Sequence, residues 1–450
     1  MQSIVGKPIA VLPYDLGDGL TLRRATPADA DRLAEFNSKI HSDNGPEDPD
    51  QRVGVWTRDL LSGQHPTFAP DDFTLVEESG SGRIISSMNL ISQVWEYAGI
   101  PFKVGRPELV GTHPEFRRRG LVRKQFEVVH QWSRERGEMV QAITGIPNYY
   151  RQFGYEMCVD LGGGRVGYKP LVPNLPEGQA EPYIIRPAVA ADAPFIAEVY
   201  DAGRKRSLLS CVWTEDLWRY EIAGKNPDNV DRMALFVIET PSGEPLGFFG
   251  CPPYTWGPNQ ATILYELKPG VSWWAVTPSV IRSLWKIGEA NAIRDHGEMG
   301  AYGFWLGQSH PAYQVISDRL PRVRRPYAWF IRVPDLAGFL RHITPVLEGR
   351  LAESVCIGFT GNLKLNFYQS GLNLTFTEGR LSSISHWQET RSEPAAAAFP
   401  GLTFYQLLFG YRALTELRES FADCRINDEK YVAVLNSLFP YQPSDIKHIS

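Results

Sequence analysis

The chain has 450 residues, 43% hydrophobic and 22% charged, with a formal net charge of −5, a composition that suits two or three folded domains and excludes an extended disordered chain. Lys and Arg are spread along it without a basic tail or stripe, which points away from nucleic acid, and no uncharged apolar stretch is long enough to span a bilayer. Five cysteines, Cys158, Cys211, Cys251, Cys356 and Cys424, lack Cys-x-x-Cys spacing and are odd in number, against a disulfide framework.

The short apolar run Ile9 to Leu12 is ended by Pro13 and follows no basic segment, so no secretory signal is expected and the predicted location is cytoplasmic. Leu20 to Arg24 reads as a strand, and Pro27 to Ile40 as a helix with Leu33, Phe36 and Ile40 on one face. Strands are predicted at Phe73 to Glu77, Arg83 to Ile91, Pro107 to Thr112 and Met139 to Ile143. A helix from Arg118 to Arg136 precedes the last of these, with Phe126, Val129 and Trp132 inward. This order predicts an α+β fold built as an α/β sandwich.

Leu171 to Pro182 contains three prolines, Pro173, Pro176 and Pro182, and reads as a linker. Beyond it the beginning recurs: Arg23, Ala25, Ala28, Asp29, Ala30, Ala34 and Glu35 align with Arg186, Ala188, Ala191, Asp192, Ala193, Ala197 and Glu198, which predicts a duplicated domain. A third unit starts near Pro334, where Leu336, Phe339, Leu340, Ile343, Val346 and Leu347 form one helical face. Alternation at Leu363, Leu365, Phe367 and at Leu372, Leu374, Phe376 around Gln369-Ser-Gly371 predicts a β-hairpin, with helices following at Leu402 to Phe409, Ala413 to Ser420 and Glu429 to Phe439. The predicted boundaries are 1–172, 173–333 and 334–450.

The segment Glu108-Leu-Val-Gly-Thr112 leads through Pro114 into Arg117-Arg118-Arg119-Gly120, which opens a helix. Free amides at a helix start carry partial positive charge, and glycine lets the backbone approach closely, so this turn is suited to a pyrophosphate. Arg117-x-x-Gly120-x-Val122 after Thr112-His-Pro114 resembles the Arg/Gln-x-x-Gly-x-Gly/Ala signature of the GNAT acetyltransferase superfamily, with Val122 in place of the final small residue. The segment Tyr150-Arg-Gln-Phe-Gly154-Tyr155 is similar to a second GNAT motif.

The resemblance implies acetyl-CoA as co-substrate, held by Leu109, Val110, Gly111, Thr112, Arg117, Arg118, Arg119, Gly120, Leu121 and Val122, with amides near Val110 and Thr112 polarising the thioester carbonyl. It implies Tyr150 beside the coenzyme sulfur, as general acid or as a hydrogen-bond donor to the leaving thiolate. A phenol near pKa 10 gives its proton to a thiolate near 8.5 only uphill, by about 2 kcal/mol. The acceptor amine must be neutral to attack; for a lysine-like group this costs about 4.6 kcal/mol at pH 7, which a base must help offset. In GNAT enzymes a carboxylate at the position of Glu108 often acts through water.

Over nearly its full length the chain resembles the enhanced intracellular survival (Eis) family: tandem GNAT folds, the second degenerate, followed by a sterol-carrier-protein-like α+β domain. That resemblance implies a second candidate base, the α-carboxylate of Ser450, and a homo-oligomer, a hexamer in that family. The stretch Ala275 to Arg282 stands as the second domain's equivalent turn and lacks Arg-x-x-Gly, so that domain is expected to wall the acceptor cleft without binding coenzyme. Asp43, Glu47, Asp48 and Asp50 would draw cationic acceptors such as aminoglycosides, polyamines or lysine side chains, and suit a solvated acidic loop equally well. The nine histidines form no metal-ligating pattern, so no metal is expected. The competing class is a lipid- or small-molecule-binding protein with a vestigial acetyltransferase domain.

Overall fold

The computed structural model describes residues 11–450, so Ile9 and Ala10 of the N-terminal apolar run lie outside the described residues. The first unit is an antiparallel meander of β1 (Tyr14–Gly17), β2 (Leu20–Arg24), β3 (Phe73–Glu78), β4 (Ile84–Tyr97) and β5 (Ile100–Thr112). Between β2 and β3 lie α1 (Ala30–Ile40) and α2 (Gln51–Leu61). After β5, α3 (Leu121–Glu135) leads to β6 (Val140–Ile143), which runs parallel to β5. The helix α2 was not foreseen: Asp50, expected to act as a free acidic residue, caps it by accepting from the Arg52 amide at 2.9 Å, and Val53, Trp56, Leu60 and Leu61 pack inward.

From here the chain exchanges strands between units. β7 (Glu156–Leu161) stays with the first sheet, whereas β8 (Gly164–Tyr168) crosses over. The second unit repeats the first: β9 (Ile184–Pro187), α4 (Ala193–Arg204), then β10 (Leu209–Cys211), α5 (Glu215–Arg219), β11 (Ala234–Glu239), β12 (Pro245–Cys251), β13 (Asn259–Thr262), β14 (Leu264–Leu267), α6 (Trp273–Arg294) and β15 (Ala301–Phe304). Past the short α7 (Ala312–Val315), β16 (Arg322–Arg324) pairs with β8, and β17 (Tyr327–Arg332) returns to the first sheet between β6 and β7.

The repeat extends to side chains. Arg23 donates two bonds to Asp29, at 2.8 and 2.9 Å, and two to Glu77, while Arg186 makes the same clamp on Asp192 and Glu239. In both units the aspartate also accepts from a backbone amide three residues before it, Thr26 or Val189. The clamp ties the first helix to the neighbouring strands, which is why Arg and Asp recur at one spacing.

The last unit packs α8 (Leu336–His342) and α9 (Thr344–Ala352) beside β18 (Gly361–Asn366), β19 (Gly371–Thr377) and β20 (Arg380–His386), the predicted hairpin and its neighbour. The single helical face read from Leu336 to Leu347 is two helices, broken at Ile343 with Pro345 opening the second. The strand β21 (Ala397–Ala398), helices α10 (Phe404–Leu408) and α11 (Leu414–Ser420), β22 (Arg425–Ile426) and α12 (Lys430–Leu438) complete it. Residues 440–450 then run back against the first two units. The five cysteines are free thiols.

Candidate active site

β5 and β6 pair only at Val104 with Val140 and Gly105 with Gln141. Beyond these pairs the strands part, so the edge of β5 from Arg106 to Thr112 has no parallel partner among the described residues. Across β4 the register slips: Asn89 faces Glu108 and Ser87 faces Gly111, leaving Leu109 and Val110 opposite the single residue Met88. This is a β-bulge, with Leu109 at φ 48°. Ser87 Oγ lies 3.1 Å from the Leu109 carbonyl and Ser86 Oγ 2.7 Å from that of Gly111, which fixes the bulge from behind. A side chain at Gly111 would strike Ile40 of α1 at 2.7 Å, so glycine is needed for the helix to pack there. His41, beside the Leu109 backbone, is lowered to about 4 by burial and is therefore neutral.

Just beyond the open edge, Gly120 caps α3 from the left-handed region at φ 78°, with no side chain bonded to the helix start. The Lys124 amide donates to Gly120 O at 3.1 Å, whereas the amides from Arg119 to Arg123 have no such carbonyl among the described residues. An uncapped start with exposed Arg117, Arg118 and Arg119 around it is a ready anion site. Leu121 is buried, and Val122 packs against the same core as Tyr149, Tyr150 and Phe153. Its side chain is therefore half-buried against that core.

Tyr150 sits on a helical turn, Tyr149–Phe153, bounded by Asn148 and Gly154, both at positive φ. Its ring is 4% exposed and meets Phe126 of α3 and Phe330 of β17 edge-on, at 6.1 and 5.3 Å. Its hydroxyl faces Gly145, at the end of β6. Burial, and then the charge of Glu108, push the phenol well above its ordinary range.

Arg106 and Glu108 lie two residues apart on β5, with Arg106 Nη2 2.5 Å from Glu108 Oε2. Burial raises the Glu108 carboxyl, Arg106 opposes the rise, and Asp231 of the second unit adds to it. The same guanidinium donates through Nη1 to the Ile449 carbonyl at 3.0 Å, and Gln93 donates to that carbonyl at 2.8 Å. Ser450 is 6% exposed. Its Oγ lies 3.3 Å from Nζ of Lys225, which is paired with Glu221 at 2.6 Å. His65, lowered to about 4 chiefly by burial, faces the Ser450 backbone.

Of the residues expected from sequence, Glu108 is paired with Arg106, which also holds the carbonyl of Ile449, the neighbour of Ser450, and Tyr150 lies within electrostatic reach of Glu108. Asp43, Glu47 and Asp48 are exposed on a loop closed on itself by Asn44 and Ser42. The turn assigned to Ala275–Arg282 is not a turn: it lies inside α6, which starts at Trp273 with Ser272 as its cap, accepting from the Ala275 amide at 3.3 Å. Pro278 lies inside the helix, where a proline without its amide reads in sequence as a break. Sequence reading missed His41, His65, Gln93, Arg106 and Lys225. Arg106 alone had a signal, its period-two relation to Glu108; the others come from distant segments.

Residues 21–158 match the model of the acetyltransferase (GNAT) domain. No curated protein matches the chain by sequence. Among solved structures, a conserved protein of Enterococcus faecalis V583 described as a probable N-acyltransferase superposes with a TM-score of 0.64 at 13% identity, over 96% of this chain and 99% of its own. A GCN5-related N-acetyltransferase from Kribbella flavida gives 0.62 at 16%, over 95% and 97%. Eis1 from Mycobacterium abscessus gives 0.59 at 12%, over 95% and 99%. At these identities the likeness is one of fold, and it runs from end to end. With the splayed strands, the bulge and the open start of α3 inside the matched segment, residues 21–158 are an acetyltransferase domain of the GNAT family, the fold of acyl-CoA-dependent N-acetyltransferases.

Proposed function

We propose that the chain moves an acetyl group from acetyl-CoA to a primary amine by direct attack, with an aminoglycoside, a polyamine or a lysine-like side chain as acceptor. The observation that carries this reading is the open edge of β5, followed by the uncapped amides of α3, with Tyr150 packed on Phe126 of that helix. The diphosphate would rest on the amides from Arg119 to Val122, with Arg117 and Arg118 alongside, and the pantetheine arm along the edge from Leu109 to Thr112. The thioester carbonyl would be polarised by amides of the bulge near Val110.

In this reading the amine nitrogen bonds to the acetyl carbon as the carbon–sulfur bond breaks. The proton lost by nitrogen goes to a carboxylate, and the electron pair stays on the coenzyme sulfur. We assign the acceptor of the proton to the α-carboxylate of Ser450, because Glu108 is already engaged by Arg106. Glu108 and Asp231 add carboxyl groups beside that position, which suits cationic acceptors. With its phenol pushed up by burial, Tyr150 stays protonated and donates a hydrogen bond to the departing thiolate.

Residues 173–333, apart from β17, which belongs to the first sheet, act in this account as a partner unit without coenzyme, since Ser272 occupies the start of α6. Residues 334–450 form the sterol-carrier-like unit in this reading, with an open pocket of about 710 Å³ lined by Phe367, Leu372, Leu402 and Phe404 and bordered by Gly154 of the first unit. Calorimetry with acetyl-CoA tests the reading: binding by the wild type and its loss in Gly120→Glu are expected, and equal binding by both would sink it.

A further inference from the structure

The second unit reaches the catalytic centre through one buried cation. Lys225 and Glu221 are each 1% exposed and paired at 2.6 Å. Burying such a pair is costly, because the loss of hydration can exceed the mutual attraction. Here Lys225 Nζ has two further neighbours, the Asp231 carbonyl at 3.4 Å and Ser450 Oγ at 3.3 Å. The loop that carries Lys225 is itself tied to α2 of the first unit. Asp59 accepts from the Asn226 amide at 2.9 Å and from Asn229 Nδ2 at 2.7 Å, and the Val230 amide reaches Arg52 O.

The other contacts on residues 444–450 come from both units. Gln93 and Arg106 of the first hold the Ile449 carbonyl, and Trp213 of the second donates to the Lys447 carbonyl at 2.8 Å. Ser444 Oγ accepts from the Leu209 amide at 2.9 Å, and Trp329 of β17 meets His448 edge-on at 5.2 Å. A segment without helix or strand of its own is thus gripped at nearly every residue. A purely structural strap does not require two buried cations, Arg106 and Lys225, at its last two residues.

We propose that Lys225, with Arg106 and Gln93, forms a socket that positions residues 447–450 beside Glu108, so that the second unit takes part in turnover through a positioning residue. The inference rests on the acetyltransferase reading. It assigns Lys225 a role in the chemical step and none in coenzyme binding, because among the described residues the polar contacts of its Nζ are Glu221, Asp231 and Ser450 and none is at the start of α3.

The test uses the full chain with Lys225→Gln. Because that change leaves Glu221 buried and unpaired, Glu221→Gln/Lys225→Met serves as a second variant that removes both charges together. Two quantities are read: amide hydrogen exchange of a peptide covering 440–450, and steady-state thiol release. The socket predicts roughly tenfold faster exchange in that peptide with α3 unaffected. It also predicts a fall in kcat of about tenfold or more, with KM for acetyl-CoA within about twofold. Unchanged exchange or unchanged kcat in a folded variant overturns the proposal. Absence of thiol release by the wild type would instead overturn the acetyltransferase reading, and the exchange comparison would still decide whether Lys225 holds the segment.

Discussion

Tyr150 and Asp29 show how burial and partners divide the work of single residues. Burial and the charge of Glu108 keep the Tyr150 phenol protonated, so Tyr150→Phe removes a donor and nothing else. Losing a hydrogen bond to a charged group, about 1.5–3 kcal/mol, should lower kcat by about ten- to a hundredfold. KM for acetyl-CoA should hardly move, and steady-state kinetics checks both. At Asp29, burial alone would raise the carboxyl, but the bonds from Arg23 and Thr26 outweigh it and hold it at about 2. A carboxyl lowered by folding stabilises above its unfolded value, near pH ~4, and loses that contribution as pH falls toward its folded one. Urea unfolding of the wild type should therefore weaken between those limits, and Asp29→Asn should show a flatter dependence.

At the scale of elements, α3 and its start carry the coenzyme argument. Gly120 is needed for its backbone angle, since a Cβ there would meet nothing within 4 Å. Gly120→Ala should therefore fold, yet holding the turn costs about 1–2 kcal/mol, and acetyl-CoA affinity should drop by about tenfold in calorimetry. This turn was legible in the sequence because glycine, arginines and the flanking strand and helix lie within a dozen residues. Strands β2 and β3 were legible as short strand-like runs, and the hairpin of β18 and β19 through alternation. The helix α2 was not, because acidic and proline residues before it read as loop. The bulge at Leu109 leaves no mark in composition, and Pro278 inside α6 reads as a break in that helix. Arg106 was legible in principle beside Glu108, whereas Gln93 and Lys225 are brought to the tail only by the packing of the two units.

At the scale of the molecule, the units are not beads on a string. β8 belongs to the second unit's sheets and β17 to the first, so each completes the other, and Phe330 of β17 packs on Tyr150. The first unit expressed alone as residues 11–172 lacks β17 between β6 and β7, and it should fail to give the cooperative thermal transition of the whole chain in calorimetry. The central claim is acetyl transfer to an amine at the open edge of β5. Its most direct test is free thiol release from acetyl-CoA by the full chain across a panel of aminoglycosides, polyamines and lysine peptides, with Gly120→Glu alongside. The account predicts amine-dependent release by the wild type and almost none by the variant; no release with any amine, or equal release by both proteins, would contradict it.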